Sequence, residues 1–210
     1  MVNRIIKKRD LRKELKQIYS PSAKEPELVK VPTFNFLMID GEGAPESQQF
    51  QEAVQAIYTT AYTIKFTFKF EKNIDFPVMA LEGLWWLKQG MPFQIGRRED
   101  WCWTVMILQP EFVTKTTLAK AIRKIKEKKD VPGIDNVRLE SFSEGLSVQM
   151  LHIGPYADEP KTMQKIEEFS SERGLTASGK HHEIYLSDPR RVKQDRMKTI
   201  LRHAVKKSGR

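Results

Sequence analysis

The chain has 210 residues, with 36 Lys and Arg against 27 Asp and Glu, a formal charge of +9. At 40% hydrophobic and 30% charged residues, and with no run near the about 18 apolar residues of a membrane helix, it is neither a disordered chain nor a helical membrane protein. Its single cysteine, Cys102, excludes an internal disulfide, and the N-terminus runs into charge without the apolar stretch of a secretory leader, so the expected compartment is the cytoplasm.

Residues 10–19 carry the pattern of a short helix, which the polar run Ser20-Pro-Ser-Ala-Lys-Glu-Pro-Glu ends. Residues 1–30 therefore read as a basic lead-in, 31–205 as the folded domain and 206–210 as a basic tail. A strand is predicted over 33–40, then a turn, Gly41-Glu-Gly-Ala-Pro45, then a helix opening at Pro45, Glu46 and Ser47. Phe50, Ala53, Val54, Ile57, Ala61 and Ile64 share one helical face, so that helix lies on a core. Residues 64–70 fit both a continuing helix and an alternating strand. Strands are predicted over 76–87 and 101–108, joined by a loop with Gly90, Pro92 and Gly96. In the second strand both faces are apolar, so both are expected to be covered.

A lysine-rich helix over 116–128 leads through Pro132-Gly133 to a strand over 136–142. Glu144-Gly145 predicts a hairpin-like turn into a further strand over 146–153. After the Gly154-Pro155 turn comes a helix that starts with acid at Asp158-Glu159-Pro160, turns Met163, Ile166 and Phe169 inward and stops at Gly174. Strands over 181–186 and 197–205 end the chain. The succession strand, turn, helix, strand, strand thus occurs twice, over 34–108 and 146–205. The expected class is α+β: a pseudo-two-fold pair of β-α-β-β units, two sheets flanked by helices with a groove between them.

The basic excess gathers at the start (Arg4, Lys7, Lys8, Arg9, Arg12, Lys13, Lys16), over 115–129 and over 190–210. In the middle cluster Leu118, Ala121, Ile122 and Ile125 keep helical spacing with lysines on the other face, the pattern of a solvated helix surface. No zinc-finger spacing or RNP-type aromatic motif accompanies it, so nucleic acid is not the expected partner.

Four strings carry a family resemblance: Phe36-Leu-Met-Ile-Asp-Gly-Glu-Gly43 with Ala61-Tyr62, Leu81-Glu-Gly-Leu-Trp-Trp86, His152-Ile-Gly-Pro-Tyr156, and His181-His-Glu-Ile-Tyr-Leu-Ser-Asp-Pro-Arg190. Together they resemble the GyrI-like small-molecule-binding family, whose SOUL-type fold pairs two β-α-β-β units around a central ligand groove. Within it the chain is similar to the stand-alone branch of cyclopropanoid cyclopropyl hydrolases, which protect bacteria from DNA-alkylating compounds of the duocarmycin and yatakemycin type. Other members are ligand domains of multidrug-sensing regulators with a separate DNA-binding domain, for which the 30 leading residues are too short. The resemblance implies flat, lipophilic aromatic ligands and a glutamate at the centre of the groove, here Glu183. It implies hydrolysis without metal or organic cofactor; the alternative is a non-catalytic drug-binding or sensing module. The family name and the positive charge also point, more weakly, to a nucleoid-associated or gyrase-interacting protein.

Strand alternation puts Glu183 on one face with His181 and Tyr185, and Ile184 and Leu186 on the other. Glu183 is then either a sheet-edge carboxylate paired with a basic side chain or, by the resemblance, a groove carboxylate able to act as general base. Trp85 and Trp86 must face opposite sides; one is expected to stack on ligand and the other to pack under the helices, or both are core. Glu82 is a second groove carboxylate or exposed. Tyr62 offers its hydroxyl to a ligand oxygen or is a core-edge tyrosine, and Tyr156 and Tyr185 complete the candidate ligand-binding set. The adjacent His181 and His182 point apart, and His152 and His203 add no local metal spacing, so no metal is expected. Cys102, in an apolar strand, reads as a buried neutral thiol. Gly41-Glu-Gly lacks the third glycine of a dinucleotide loop and leads with acid. The physiological substrate and the oligomeric state are not legible in the sequence.

Overall fold

The structure, a computed structural model, describes residues 6–88 and 96–209. Gly90 and Pro92 of the predicted loop lie outside the described residues. The lead-in forms a short strand, β1 (Lys7–Lys8), and two single-turn helices, α1 (Leu11–Glu14) and α2 (Lys16–Tyr19), in place of one helix. The Asp10 side chain accepts from the Lys13 N–H and caps α1. Leu11, Ile18 and Tyr19 are buried, so this segment packs on the core.

β2 (Glu27–Glu42) follows, and then α3 (Gln48–Thr67), whose N-cap Ser47 accepts from the Phe50 N–H. Phe50, Ala53, Ala56, Ile57, Thr60, Ala61 and Ile64 form its buried stripe, the face its periodicity predicts. Helix wins over strand after Ile64: α3 runs to Thr67 and ends in a wide turn, Phe68–Lys72, closed by the left-handed Asn73. Next come β3 (Ile74–Asp75), which pairs in parallel with β1, then β4 (Leu81–Leu87) and β5 (Trp101–Gln109). β4 is shorter than predicted: residues 76–80, with Pro77 among them lacking an N–H for a ladder, form an irregular connection that still buries Phe76 and Met79. Every residue of β5 is buried, matching its two apolar faces.

The basic helix α4 (Lys115–Lys126) buries Leu118, Ala121 and Ile125 and begins with a Thr114–Thr117 capping box. The hairpin predicted at Glu144-Gly145 does not form. Instead β6 (Arg138–Ile153) is one 16-residue strand. Its register against β2 runs from Met38 opposite Arg138 to Glu27 opposite Gln149, with a gap where Pro32, which has no N–H to give, falls opposite Glu144. Gly145 takes φ +75°, so the turn residue bends the strand and does not reverse it. α5 (Glu159–Ser171), β7 (Leu175–Tyr185) and β8 (Lys198–Lys207) complete the chain, with Gly174 at φ +63° behind α5. Ile166 is buried in the core under α5 and Met163 and Phe169 pack against it partly buried, as predicted, while Glu159, Thr162 and Ser170 are buried beside them.

All the ring pairings are antiparallel, in the order β2-β5-β4-β7-β8-β6, with β6 returning to β2. The repeat is visible in that order: β2-β5-β4 in the first unit corresponds to β6-β8-β7 in the second. The units join twice, β2 to β6 and β4 to β7, so the expected pair of sheets is one closed ring of six strands. α3 packs on the first unit through the stacking of Phe50 on Trp85, and α5 packs through Ile166 on Val148, Met150 and Leu201 of the second. Among the described residues no helix is long and apolar enough to cross a membrane.

Candidate active site

The site lies where β4 meets β7. The register sets Leu81 opposite Tyr185, Gly83 opposite Glu183 and Trp85 opposite His181, so these side chains share one face. Across β8, Thr199, Leu201 and His203 are their partners on that face. Gly83 is required here: a Cβ at that position would stand 2.7 Å from Trp85 Nε1 and 3.0 Å from the Tyr185 hydroxyl, which meet over the bare backbone.

The Glu183 side chain is 12% exposed. Its Oε1 lies 2.9 Å from His181 Nε2, and its Oε2 accepts from the Tyr185 hydroxyl at 2.7 Å. The Tyr185 oxygen accepts from Trp85 Nε1–H at 3.0 Å. Behind His181, its Nδ1 faces His203 Nε2 at 2.8 Å. Burial, and then the neighbouring His181, hold the His203 pKa down at about 3, so that imidazole is neutral and only one of the two facing nitrogens carries the hydrogen. A chain of hydrogen bonds thus runs His203–His181–Glu183–Tyr185–Trp85.

Glu159, the first residue of α5, completes the cluster from above. One donor atom each of Glu159, His181 and Glu183 lie within 4.8 Å of one another. Glu159 is 3% exposed, and its Oε1 has no hydrogen-bond partner. Burial, and next the charge of Glu183, raise its pKa to about 10, against a smaller opposing pull from Thr199, so Glu159 is a neutral carboxylic acid. Three such donors could accept a cation; in this arrangement both Glu183 oxygens take hydrogen bonds, from His181 and from Tyr185. The set is a hydrogen-bonded acid–base cluster.

The string His152-Ile-Gly-Pro-Tyr156 sets the entry of α5. His152 Nε2–H reaches the Pro155 carbonyl at 3.2 Å, which leaves Nδ1 to accept from the Thr162 hydroxyl at 2.9 Å. Gly154, at φ +140°, allows the ring to fold under the turn. Glu159 and Tyr156 are thereby fixed over β7. The Tyr156 ring meets the Tyr185 ring edge-on at 6.1 Å, and burial followed by the charge of Glu183 raises its phenol to about 12.

The other predicted residues are distributed as follows. Trp85, 2% exposed, stacks on Phe50 at 5.6 Å on the Glu183 face, whereas Trp86 lies on the opposite face under the Lys180 ammonium, 3.2 Å from its ring centre. Tyr62 is 47% exposed on α3, stacked between Tyr58 and Phe66, and makes no described contact with Glu183. Glu82 is neither exposed nor beside Glu183. It alternates with Gly83 and so points to the opposite face, where it is fully buried. There Tyr19 donates to Glu82 at 2.6 Å, Glu82 pairs with His182 at 3.0 Å, His182 pairs with Glu144 at 3.0 Å, and Arg202 pairs with Glu144 at 3.2 Å. Arg202 also donates to Gln149 and to the Ile18 carbonyl. Two acids, one guanidinium and one imidazolium balance in charge, and the lead-in seals them from water. Two surface depressions, one lined by residues near 126–136 and one by residues near 111–115 and 139–141, contain no member of either cluster. Cys102 is buried, and desolvation, then Glu42, raise its thiol pKa.

The model of the GyrI-like small molecule binding domain family matches residues 24–204. An uncharacterized conserved protein from Listeria innocua is 42% identical in sequence and superposes with a TM-score of 0.88 over 94% of this chain and 99% of its own. A hydrolase from Listeria innocua, 41% identical, superposes with a TM-score of 0.83 over 94% of this chain and 99% of its own. The EcmrR C-terminal domain, at 10% identity and a TM-score of 0.58 over 87% of this chain and 98% of that one, shares the fold alone. No curated protein matches the sequence.

Proposed function

Because the chain belongs to the GyrI-like small molecule binding domain family, we propose that it binds flat, lipophilic aromatic molecules against the Glu183 face and hydrolyses the strained cyclopropane of duocarmycin- and yatakemycin-type DNA alkylators, detoxifying them in the cytoplasm. The observation that carries this reading is the placing of Glu183. It is a carboxylate held by His181 and Tyr185 where the two units join, beside Trp85 and Tyr156. A carboxylate there can draw a proton from water, and aromatic side chains bury a planar ligand at little entropic cost. The hydrolase from Listeria innocua, at 41% identity, supports the reaction class. In the proposed reaction water adds to the ring carbon, the cyclopropane bond breaks, and its electron pair passes through the conjugated dienone to the oxygen, which becomes phenolic. Glu183 takes the water proton, and a donor near the oxygen meets the developing charge.

The test is turnover. A small amount of protein is incubated with an excess of a cyclopropane-containing alkylator, and the products are weighed by mass spectrometry. Conversion of the excess to a water adduct supports the hydrolase. Protection limited to one equivalent leaves the protein a sequestering module and refutes catalysis.

A further inference from the structure

Glu159 falls outside the residues that the strand pattern singles out, yet it sits against Glu183. We infer that Glu159 is the acid of this site: it holds a proton in contact with Glu183, passes it to the oxygen on which charge develops, and recovers it from Glu183 after each turnover. This rests on the hydrolytic reading above, and gives its donor role to Glu159 in place of Tyr62.

Three observations carry it. Glu159 is 3% exposed, and one of its oxygens is buried with no partner, so the side chain has a free hydrogen-bonding position inside the site. Glu159 and Glu183 approach to within 4.8 Å, and like charges so close in a place removed from water do not both ionise. The groups around the pair fix which oxygen keeps the proton. Both oxygens of Glu183 already have donors, His181 and the Tyr185 hydroxyl. Glu159 has Thr199 from β8 and the Tyr156 and Tyr185 phenols as neighbours, with the His181 imidazole of β7 within 4.8 Å. The pKa of about 10 agrees with that asymmetry. Tyr62, by contrast, is 47% exposed on α3 and stacked on its own helix neighbours.

The proton count closes. Water gives its oxygen to the ring carbon and one proton to Glu183. The bond's electron pair moves to the dienone oxygen, which takes the proton of Glu159. One water is consumed, and the site is left with Glu183 protonated and Glu159 ionised. Transfer of that proton from Glu183 to Glu159 restores the starting state without a molecule from outside.

The test pairs infrared spectroscopy with kinetics on the full chain. At pH about 8 the wild type should show the carbonyl stretch of one protonated carboxylic acid that Glu159→Gln lacks, and the band should shift when the phenolic product is added. Turnover of a neutral cyclopropanoid should fall by about 100-fold in Glu159→Gln, recover in part in Glu159→Asp, and lose its alkaline limb near pH 10 in Glu159→Gln only, with product affinity little changed. A wild type without that band, a band that the product leaves in place, or a Glu159→Gln variant with wild-type rate and pH profile overturns the inference. Loss of activity with a chelator and its return with zinc would also overturn it, by making the cluster a cation site. If the wild type shows the shifting band but turns over no cyclopropane, the hydrolase reading fails and the shared proton stands.

Discussion

The ion network opposite the candidate site makes a stability prediction that pH and one substitution test together. Burial alone would lower the pKa of His182, but its ion pairs with Glu144 and then Glu82 win and raise it to about 9. An unfolded histidine titrates near 6.5, and each pH unit of difference is worth about 1.4 kcal/mol, so protonating His182 contributes about 3 kcal/mol to folding. For a raised pKa this contribution is complete below pH 6.5 and is lost as pH climbs through 9. Water does not screen these charges, since the side chains of His182, Glu82 and Glu144 are almost wholly buried. Replacing His182 with Gln removes the charge and leaves a buried carboxylate without its cation, at a cost of about 3 to 5 kcal/mol. Urea unfolding at pH about 6 and about 9.5 should give a wild type that loses about 3 kcal/mol across the interval, and a His182→Gln variant that is weaker at both ends and much flatter between them. An unchanged wild type across that window, or a variant with the full wild-type slope, would refute the reasoning.

The acid side has the opposite sign. Burial opposes ionisation of Glu144, but His182 and Arg202 hold its pKa down at about 2, so stability should be present above pH 4.5 and drain away as pH falls toward 2, and Glu144→Gln should blunt that decline in urea titrations. Glu183→Gln, which keeps shape and removes charge, should cut turnover of a neutral cyclopropanoid by about 100-fold or more while product binding holds; wild-type turnover in the folded variant would take Glu183 out of the chemistry. Trp85→Ala should weaken ligand affinity by about 1 to 3 kcal/mol, whereas Trp86→Ala, on the other face, should leave calorimetric affinity near wild type. Gly83→Ala forces a Cβ into the Trp85–Tyr185 contact and should cost about 1 to 3 kcal/mol of stability with a fall in turnover; a neutral outcome in both assays would show that the contact is dispensable.

Much of the ring was legible because each unit's α3 or α5 and its strands keep the periods of their own geometry. The apolar stripe Phe50 to Ile64 and the two apolar faces of β5 needed no partner to be recognised. What failed was decided across the chain. Glu144-Gly145 has hairpin chemistry, but β2 lies alongside both halves of β6, and the positive φ of Gly145 is spent on a bend. Glu82 read as a groove or surface acid because its partners Tyr19 and His182 stand 63 and 100 residues away. Glu159 looked like an acid complementing a helix N-terminus. A signal for it was present, since Glu159, Thr162, Ile166 and Ser170 follow the helical repeat of the inward face, and a carboxylate in phase with a buried stripe needs an explanation. Glu183 was placed with its correct neighbours, His181 and Tyr185, by strand alternation alone.

Closing the six strands on themselves has a consequence for the molecule in solution. Each ring strand has a partner on both sides over part of its length, so the ring has no terminal strand, and the one-sided stretches are the ends that overhang it, such as 27–34 of β2 and 138–146 of β6. A sheet this rich in apolar residues, β5 above all, would be a strong template for self-association if it had a rim. At β5, flanked by β2 and β4, intermolecular strand addition has to wait for two neighbouring strands to separate. Turbidity on heating should therefore lag behind the loss of native structure and follow the rate of ring opening, and it should depend little on protein concentration while the ring is intact.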